Sequence, residues 1–235
     1  MSAPSDARQG PHVVVVANGE FAHPRRLEAV LDTADAIVAA DGAAAWLVAH
    51  DRPPHLLVGD MDSIDPVLLE QLAAAGCRLV RHPTHKDETD TELALHEAAA
   101  LGARRITILG ALGGRIDHAM ANIMLLLMPV LEGVETAIHD GRSRLFLIRE
   151  GSPIEDGTTI AGEPGDVLSL IPLGGDAEGV RTEGLEYPLR DETLAFGPAR
   201  GVSNVFLGAE ARVALRRGIL LAVHTPRRHV EEVEE

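Results

Sequence analysis

The chain of 235 residues contains one cysteine, Cys77. An intrachain disulfide is therefore excluded, and so is any metal site built on several thiolates. Cys77 itself reads as a small buried hydrophobe. Aromatic residues make up only 3% of the chain, so its cores must be packed from Leu, Val, Ile and Ala. Bases are scarce too: 21 Lys and Arg stand against 36 Asp and Glu, for a formal net charge of −15. Such an acidic surface argues against binding a phosphate backbone as the main role, and no nucleic-acid partner is expected. A small anionic ligand held locally with Mg²⁺ remains compatible with it. The strongest apolar run, IMLLLMPVL from Ile123 to Leu131, is too short to span a bilayer and is broken by Pro129. The opening MSAPSDARQGPH lacks the apolar region of a signal peptide. The expectation is a soluble, cytoplasmic protein with no membrane partner. No fixed-period repeat or long low-complexity segment occurs, and the tail EEVEE reads as a solvated end. Two phosphate-binding fingerprints are also missing: G-x-x-x-x-G-K-[ST] anywhere, and G-x-G-x-x-G after the first strand. A nucleotide bound here would be held by metal-bridging acids.

What is present falls into two rhythms. HVVVVANG, DAIVAADG, HLLVGD, CRLVRHP and RRITILGAL are short apolar runs, each followed by an Ala/Leu-rich helical pattern. Nearly unbroken apolar strands alternating with helices predict a mostly parallel sheet covered on both faces, a Rossmann-like α/β domain over residues 11–140. After about His139 the runs shorten, with Gly and Pro between them: SRLFLIREG, DVLSLIPLGG, TLAFGP, GVSNVFLG, ARVALRRG and ILLAVHT. Ala211, Val213 and Leu215 alternate with Arg212 and Arg216, as in a half-buried strand. This part, residues 141–235, reads as an antiparallel β-sandwich domain.

In an open parallel sheet, ligands bind beyond the carboxyl ends of the strands. Asp41 ends the second strand, in VAADGA. Asp60 ends the third, with Asp62 two residues on, in VGDMDS. Asp87 and Asp90 follow the fourth, and Asp117 follows the fifth, in GGRIDH. Carboxylates gathered at one edge repel one another unless a divalent cation sits among them, and oxygen ligands alone suit Mg²⁺. Each segment also has a plainer reading. GDMDS can be an Asx turn and GGR an ordinary turn. Around Lys86–Thr91, Thr89 reads as an N-cap with Glu92 as its capping-box partner. A cap, however, has no need of Lys86, Asp87 and Asp90. Gly113 and Gly114 let backbone approach a ligand, and Arg115 can grip phosphate in a fork. His82, His85 and His118 show no H-x-x-x-H spacing, so zinc is not expected. His118 reads as a hydrogen-bond partner that orients Asp117.

GDMDS, KDETD followed by ELAL, and GGRIDH resemble, in order and spacing, signature segments of the thiamine pyrophosphokinase family. AADGA, with Asp41, is a weaker fourth. GLEYPL and GVSN look like segments of that family's thiamine-binding sandwich, and the resemblance runs from about residue 12 to 224. It implies a Mg²⁺-requiring homodimer that transfers a diphosphate from ATP to the hydroxyethyl group of thiamine, giving thiamine diphosphate and AMP. The first domain would be the catalytic, ATP- and Mg²⁺-binding one, and the second would bind thiamine and dimerise. By position, Asp60, Asp62, Asp87 and Asp90 would hold metal and phosphates. Lys86 and Arg115 would neutralise the moving diphosphate, and Asp117 would be a further acid of the site. Asp41, Ser63, Thr89, Gly114 and His118 would belong to the ATP and Mg²⁺ side. Ser203 and Asn204 would lie near thiamine, at the subunit interface. The chain departs from the family's pattern at three places. ILLAVHT lacks the tryptophan that some relatives carry in the last strand, Val205 follows the Ser-Asn pair where an acid is common, and His85 precedes the Lys-Asp pair. Two other functions compete: a pyrophosphokinase acting on a pterin alcohol, and a non-catalytic thiamine or nucleotide sensor. The presence of Asp60, Asp62, Asp87, Asp90 and Arg115 together speaks against a sensor, which could lose them freely.

Overall fold

The computed structural model describes residues 10–150 and 157–228. The acidic tail read as a solvated end lies outside them, as do the first nine residues. The chain divides into two compact units between Gly141 and Arg142.

The first unit is a six-stranded parallel sheet with helices between the strands. Its strands are β1 (His12–Val16), β2 (Ala36–Ala40), β3 (Leu56–Gly59), β4 (Arg78–Arg81), β5 (Arg105–Leu109) and β6 (Glu135–His139), in the spatial order β6-β5-β1-β2-β3-β4. Four consecutive valines in β1 are stiff at χ1 and favour extended backbone. All five β1 residues are buried, as expected of a central parallel strand. The helices are α1 (Pro24–Leu31), α2 (Ala43–Ala49), α3 (Pro66–Ala74), α4 (Asp90–Ala100) and α5 (Ile116–Leu125). Pro24 and Pro66 open their helices where no amide donor is needed. The Asp65 carboxylate accepts from Val67 N at 2.8 Å and caps α3. Val14, Val16, Ile37, Ala39 and Leu57 meet Leu27, Leu31, Leu47 and Leu72 of α1–α3 in one apolar cluster. Cys77 joins that cluster, and burial raises its thiol pKa. Helix α4 packs over β1, β2 and β3, burying Ala94, Leu95 and Ala98.

Strand β6 is a sixth strand beyond the five that the sequence suggests. The long apolar run splits before it: α5 ends at Leu125, and Pro129 starts a short 3₁₀ turn, Pro129–Leu131. Neighbouring strands β1 and β5 connect in opposite directions along the sheet, β1 to β2 on one side and β5 to β6 on the other. The loops after β1 and β5 therefore flank a topological switch point, where open α/β sheets form a crevice.

The second unit is all β. One antiparallel sheet runs β12 (Asn204–Val205), β9 (Val167–Pro172), β14 (Ile219–Thr225), β7 (Arg144–Arg149). The other runs β11 (Arg190–Leu194), β10 (Ala177–Glu183), β13 (Glu210–Ala214), β8 (Thr158–Ala161). Ala211, Val213 and Leu215 are buried, while Arg212 and Arg216 are exposed, as the alternation predicts. The TLAFGP segment is strand only over Thr193 and Leu194; Phe196 is exposed in the loop beyond. Asp166 is buried and fully engaged. Its carboxylate accepts from Glu163 N at 2.9 Å and Arg227 N at 2.8 Å, and it lies 2.8 Å from His224 Nε2.

Candidate active site

A cavity of about 580 Å³ lies at the carboxyl edge of the parallel sheet. Segments after five strands line it: Ala17–Glu20 after β1, Asp41 after β2, Asp60 after β3, Thr84 and residues 86 and 88–91 around the β4–α4 turn, and Gly113–Arg115 with His118 after β5. Chain direction explains the gathering, because every parallel strand delivers its following loop to the same edge.

Three acids come closest together. Asp41, Asp60 and Asp62 each offer a carboxylate oxygen within 4.8 Å of the others. Glycine permits this approach. Gly59 sits at the end of β3 with φ +149°, and a Cβ there would come 3.0 Å from Asp41 Cβ and 3.2 Å from Asp90 Oδ1. Asp41 has φ 43° and is held by its N–H on Val58 O at 2.8 Å. The Ser63 hydroxyl donates to Asp41 Oδ2, whereas Asp41 Oδ1 is buried without a hydrogen-bond partner. The amide of Asp62 donates to Asp60 Oδ1 at 3.2 Å. That backbone bond holds the Asp60 carboxyl below its ordinary pKa. Asp62 moves the other way, raised first by its hydrogen bond with Asp60 and then by the Asp60 charge. An all-oxygen set with an orphaned buried acceptor fits a hard divalent cation such as Mg²⁺.

Cations flank the acids. Lys86 is the only lysine in the chain, and its Nζ donates to Asp90 Oδ1 at 2.7 Å with the side chain 11% exposed. Burial works to lower the Lys86 pKa, but the Asp90 bond and charge, then Asp60 and Asp41, more than offset it, and the net shift is upward. Arg115 is open to solvent and forks onto Asp117, with Nε–Oδ1 at 3.1 Å and Nη2–Oδ2 at 2.6 Å. This pairing lowers the Asp117 pKa to about 2. His118 contacts Asp117 through its backbone amide, 3.0 Å from Oδ1. Thr89 caps α4 by accepting from Glu92 N at 3.2 Å and also lines the cavity. Capping and a polar site therefore coexist at that helix.

Of the residues expected from sequence, Asp41, Asp60, Lys86, Thr89, Asp90, Gly114, Arg115 and His118 line the cavity. Asp62 and Ser63 stand beside it, tied to Asp60 and Asp41. Asp87 is exposed and outside the wall, and Asp117 reaches it only through Arg115. Sequence reading passed over Asn18, Gly19, Glu20 and Asn122. Asn122 is buried and donates to Ala111 O at 2.8 Å. The ANGE segment directly after the central strand was the available signal, since that loop borders the switch point.

In the second unit Ser203 is exposed with φ 61°, and its amide donates to Ser169 Oγ at 3.0 Å. Asn204 is buried, and its amide group clasps one residue: Oδ1 accepts from Tyr187 N at 3.0 Å, and Nδ2 donates to Tyr187 O at 2.7 Å. It thereby fixes the GLEYPL segment, with Tyr187 itself 63% exposed.

Acids with Lys86 and Arg115 around one cavity beyond the ends of parallel strands, in a chain with a separate all-β unit, define the class: a two-unit α/β protein without a phosphate loop. Comparison with known proteins gives the particular family. The model for the thiamin pyrophosphokinase catalytic domain matches residues 27–138, and that for the thiamin pyrophosphokinase vitamin B1 binding domain matches residues 157–220. Thiamine pyrophosphokinase 1 of Oryza sativa subsp. japonica is 29% identical over 227 residues, covering 86% of this chain and 83% of the relative. The crystal structure of thiamine pyrophosphokinase from Bacillus subtilis superposes with a TM-score of 0.80 at 24% identity, covering 92% of this chain and 99% of that one. A thiamin pyrophosphokinase family protein from Enterococcus faecalis does so with a TM-score of 0.77 at 27% identity, covering 91% and 98%. The chain belongs to the thiamin pyrophosphokinase family.

Proposed function

We propose that this chain transfers a diphosphate from ATP to the hydroxyethyl oxygen of thiamine, giving thiamine diphosphate and AMP. The observation that carries the reading is the convergence of Asp41, Asp60 and Asp62, with Lys86 and Arg115 around the same cavity, in a member of this family. A pterin-alcohol acceptor and a non-catalytic sensor are not favoured, because the family match includes both the catalytic and the vitamin B1 binding domains.

Asp41, Asp60 and Asp62 would hold Mg²⁺. The ion, when bound, supplies charge neutralisation for phosphate oxygens. The chain's own groups do the rest of the positioning, which is the main protein contribution to such a transfer. Lys86 has three donors and uses one on Asp90, so it can hold phosphate oxygens without releasing that acid. The Arg115 guanidinium can exchange Asp117 for a phosphate in the same bidentate geometry. The attacking alcohol must lose a proton to a carboxylate. Asp90 lines the cavity, whereas Asp62 stands beside it, so Asp90 is the better placed of these two.

The homodimer with shared active sites belongs to the same proposal. Exposed Tyr187, Phe196, Val202 and Leu207 on the second unit are the kind of apolar surface that a second copy covers. A cytoplasmic location is also part of it, since ATP is the co-substrate. Among the described residues no helix is long and apolar enough to cross a membrane.

The test is to incubate the purified chain with ATP, Mg²⁺ and thiamine and to identify products by mass spectrometry. AMP with thiamine diphosphate is expected. ADP with thiamine monophosphate would refute diphosphate transfer, and turnover only with a pterin alcohol would replace the acceptor. Light scattering should give a dimer. Mixing Asp60→Asn and Ser203→Ala chains should restore some activity, because one site of a mixed dimer is then wholly wild type.

A further inference from the structure

The Gly113–Gly114 turn beside Arg115 has two successive left-handed residues, with φ 84° and 62°. A backbone amide left free by such a turn can take an anion. In the structure the Gly114 N–H is given to a carboxylate of the same chain: it donates to Glu20 Oε1 at 2.8 Å. The Glu20 side chain lies flat across the turn. A Cβ at Gly113 would come 2.6 Å from Glu20 Cβ and 2.7 Å from its Cγ and Cδ, so only glycine leaves room for it. Glu20, Gly113, Gly114 and Arg115 all line the cavity.

The contact is not the sole link between the two loops. Their backbones are already laced by Gly19 N to Gly110 O at 2.8 Å and Glu20 N to Leu112 O at 3.0 Å. Among the described residues no ion pair involves Glu20. Its charge is therefore uncompensated in a wall that already contains Asp41, Asp60 and Asp90. A carboxylate that pairs with no cation, yet occupies a backbone amide beside Arg115, is a competitor for that amide.

We infer that Glu20 is a specificity-determining residue: its carboxylate is an internal anion on the Gly114 amide that an incoming polyphosphate must displace. The inference rests on the reading of the cavity as a polyphosphate site. It sets a threshold. Pyrophosphate or the chain of ATP, bringing several charges and its own Mg²⁺, can displace Glu20, whereas inorganic phosphate cannot do so as well. Displacement also leaves a carboxylate ready to return to the amide as product departs.

The test uses the full chain and two variants, Glu20→Gln and Glu20→Ala, with calorimetric titration of magnesium pyrophosphate and of inorganic phosphate. Glutamine keeps an acceptor for Gly114 and removes only the charge. Both variants should bind pyrophosphate about 3- to 10-fold more tightly than wild type, the effect of deleting one nearby like charge in a solvated cleft. They should also bind inorganic phosphate more tightly, and by the larger factor, and both gains should shrink as salt is raised. The KM for ATP should fall in parallel. Weaker binding by Glu20→Ala with normal binding by Glu20→Gln would show a bracing role and overturn the inference. Unchanged binding in both variants would overturn it as well, as would absence of pyrophosphate binding by all three proteins. A wild type that binds pyrophosphate but does not turn over thiamine would remove the acceptor assignment and leave this inference standing.

Discussion

Replacing Gly59 by alanine puts one methyl group where the site's acids are packed closest. The added Cβ would lie 3.0 Å from Asp41 Cβ, 3.3 Å from Asp41 Cα and 3.2 Å from Asp90 Oδ1. Asp41 cannot give way easily, because its backbone is pinned to β3 through Val58 O. Asp90 Oδ1 is the oxygen that holds Lys86. The methyl therefore strains the chain at φ +149° and presses on two of the acids that line the cavity. Strained backbone and crowding together should cost about 2 kcal/mol. At about 2–4 °C per kcal/mol for a chain of this size, the midpoint should fall by roughly 4–8 °C. Displacing Asp41 and Asp90 should also lower turnover by about 10-fold or more. Gly76→Ala is the control. Gly76 has φ +92° with nothing within 4 Å of its Cβ position, so it carries conformational strain alone, about 1 kcal/mol, and no loss of activity. Thermal melts and steady-state assays on both variants decide the matter. A Gly59→Ala chain with a wild-type midpoint, or equal activity losses in both variants, would refute the reasoning.

Asp60→Asn and Asp62→Asn should each reduce turnover by about 100-fold or more, with circular dichroism spectra unchanged. Near-normal turnover of either variant in saturating Mg²⁺ would remove that residue from the metal set. Asn204→Ala breaks two bonds to the Tyr187 backbone and should destabilise the chain by about 1–3 kcal/mol. Calorimetry should show thiamine binding weakened in Asn204→Ala and Ser203→Ala while ATP binding stays intact, and the reverse pattern would overturn the division of labour. Burial works to raise the Asp166 pKa, but the Arg227 and Glu163 amides and His224 outweigh it, and the carboxyl is held below its ordinary value. Its stabilisation should be complete above the unfolded carboxylate pKa of about 3.9 and should vanish as pH falls through the lower folded value. Melts across this range should show wild type losing its advantage over Asp166→Asn in acid; a constant gap would contradict the assignment.

The clearest elements in the sequence are those whose burial is two-sided or alternating. The valines of β1 and the pattern of β13 leave little room for another reading. Strands β6, β8 and β10 were missed because little in them is apolar. In AEGVRTE of β10 the buried positions include Ala177, Gly179 and Thr182, and the register with β11 shifts around Val180, which breaks the period of two. At the site, the acids were legible because each follows a strand end. Their division of labour was not. Which carboxylates meet depends on a glycine at Gly59 and on a positive φ at Asp41, neither of which leaves a mark in a charge pattern. Asp87 and Asp90 look equivalent in KDETD, yet Asp90 opens α4 and faces Lys86, while Asp87 lies before the cap and points to solvent. The loop of Asn18 and Glu20 carries no repeated motif, and only its place beside the central strand betrays it.

Lys86 also gives the molecule a chemical selectivity. Apart from the chain's amino terminus it is the sole primary amine, and the other strongly basic side chains are all arginine. Guanidinium groups stay protonated and resist acylation at neutral pH. The exterior thus offers amine-directed reagents almost nothing, and the one lysine target is tucked against Asp90 in the cavity wall. Acylation of that nitrogen would erase the charge and, on the proposed function, lower turnover in a single event, and ligands that cover Lys86 would protect it. Without any engineered label, acylation of the Lys86 peptide, set against that of the terminal amine, therefore reports cavity occupancy.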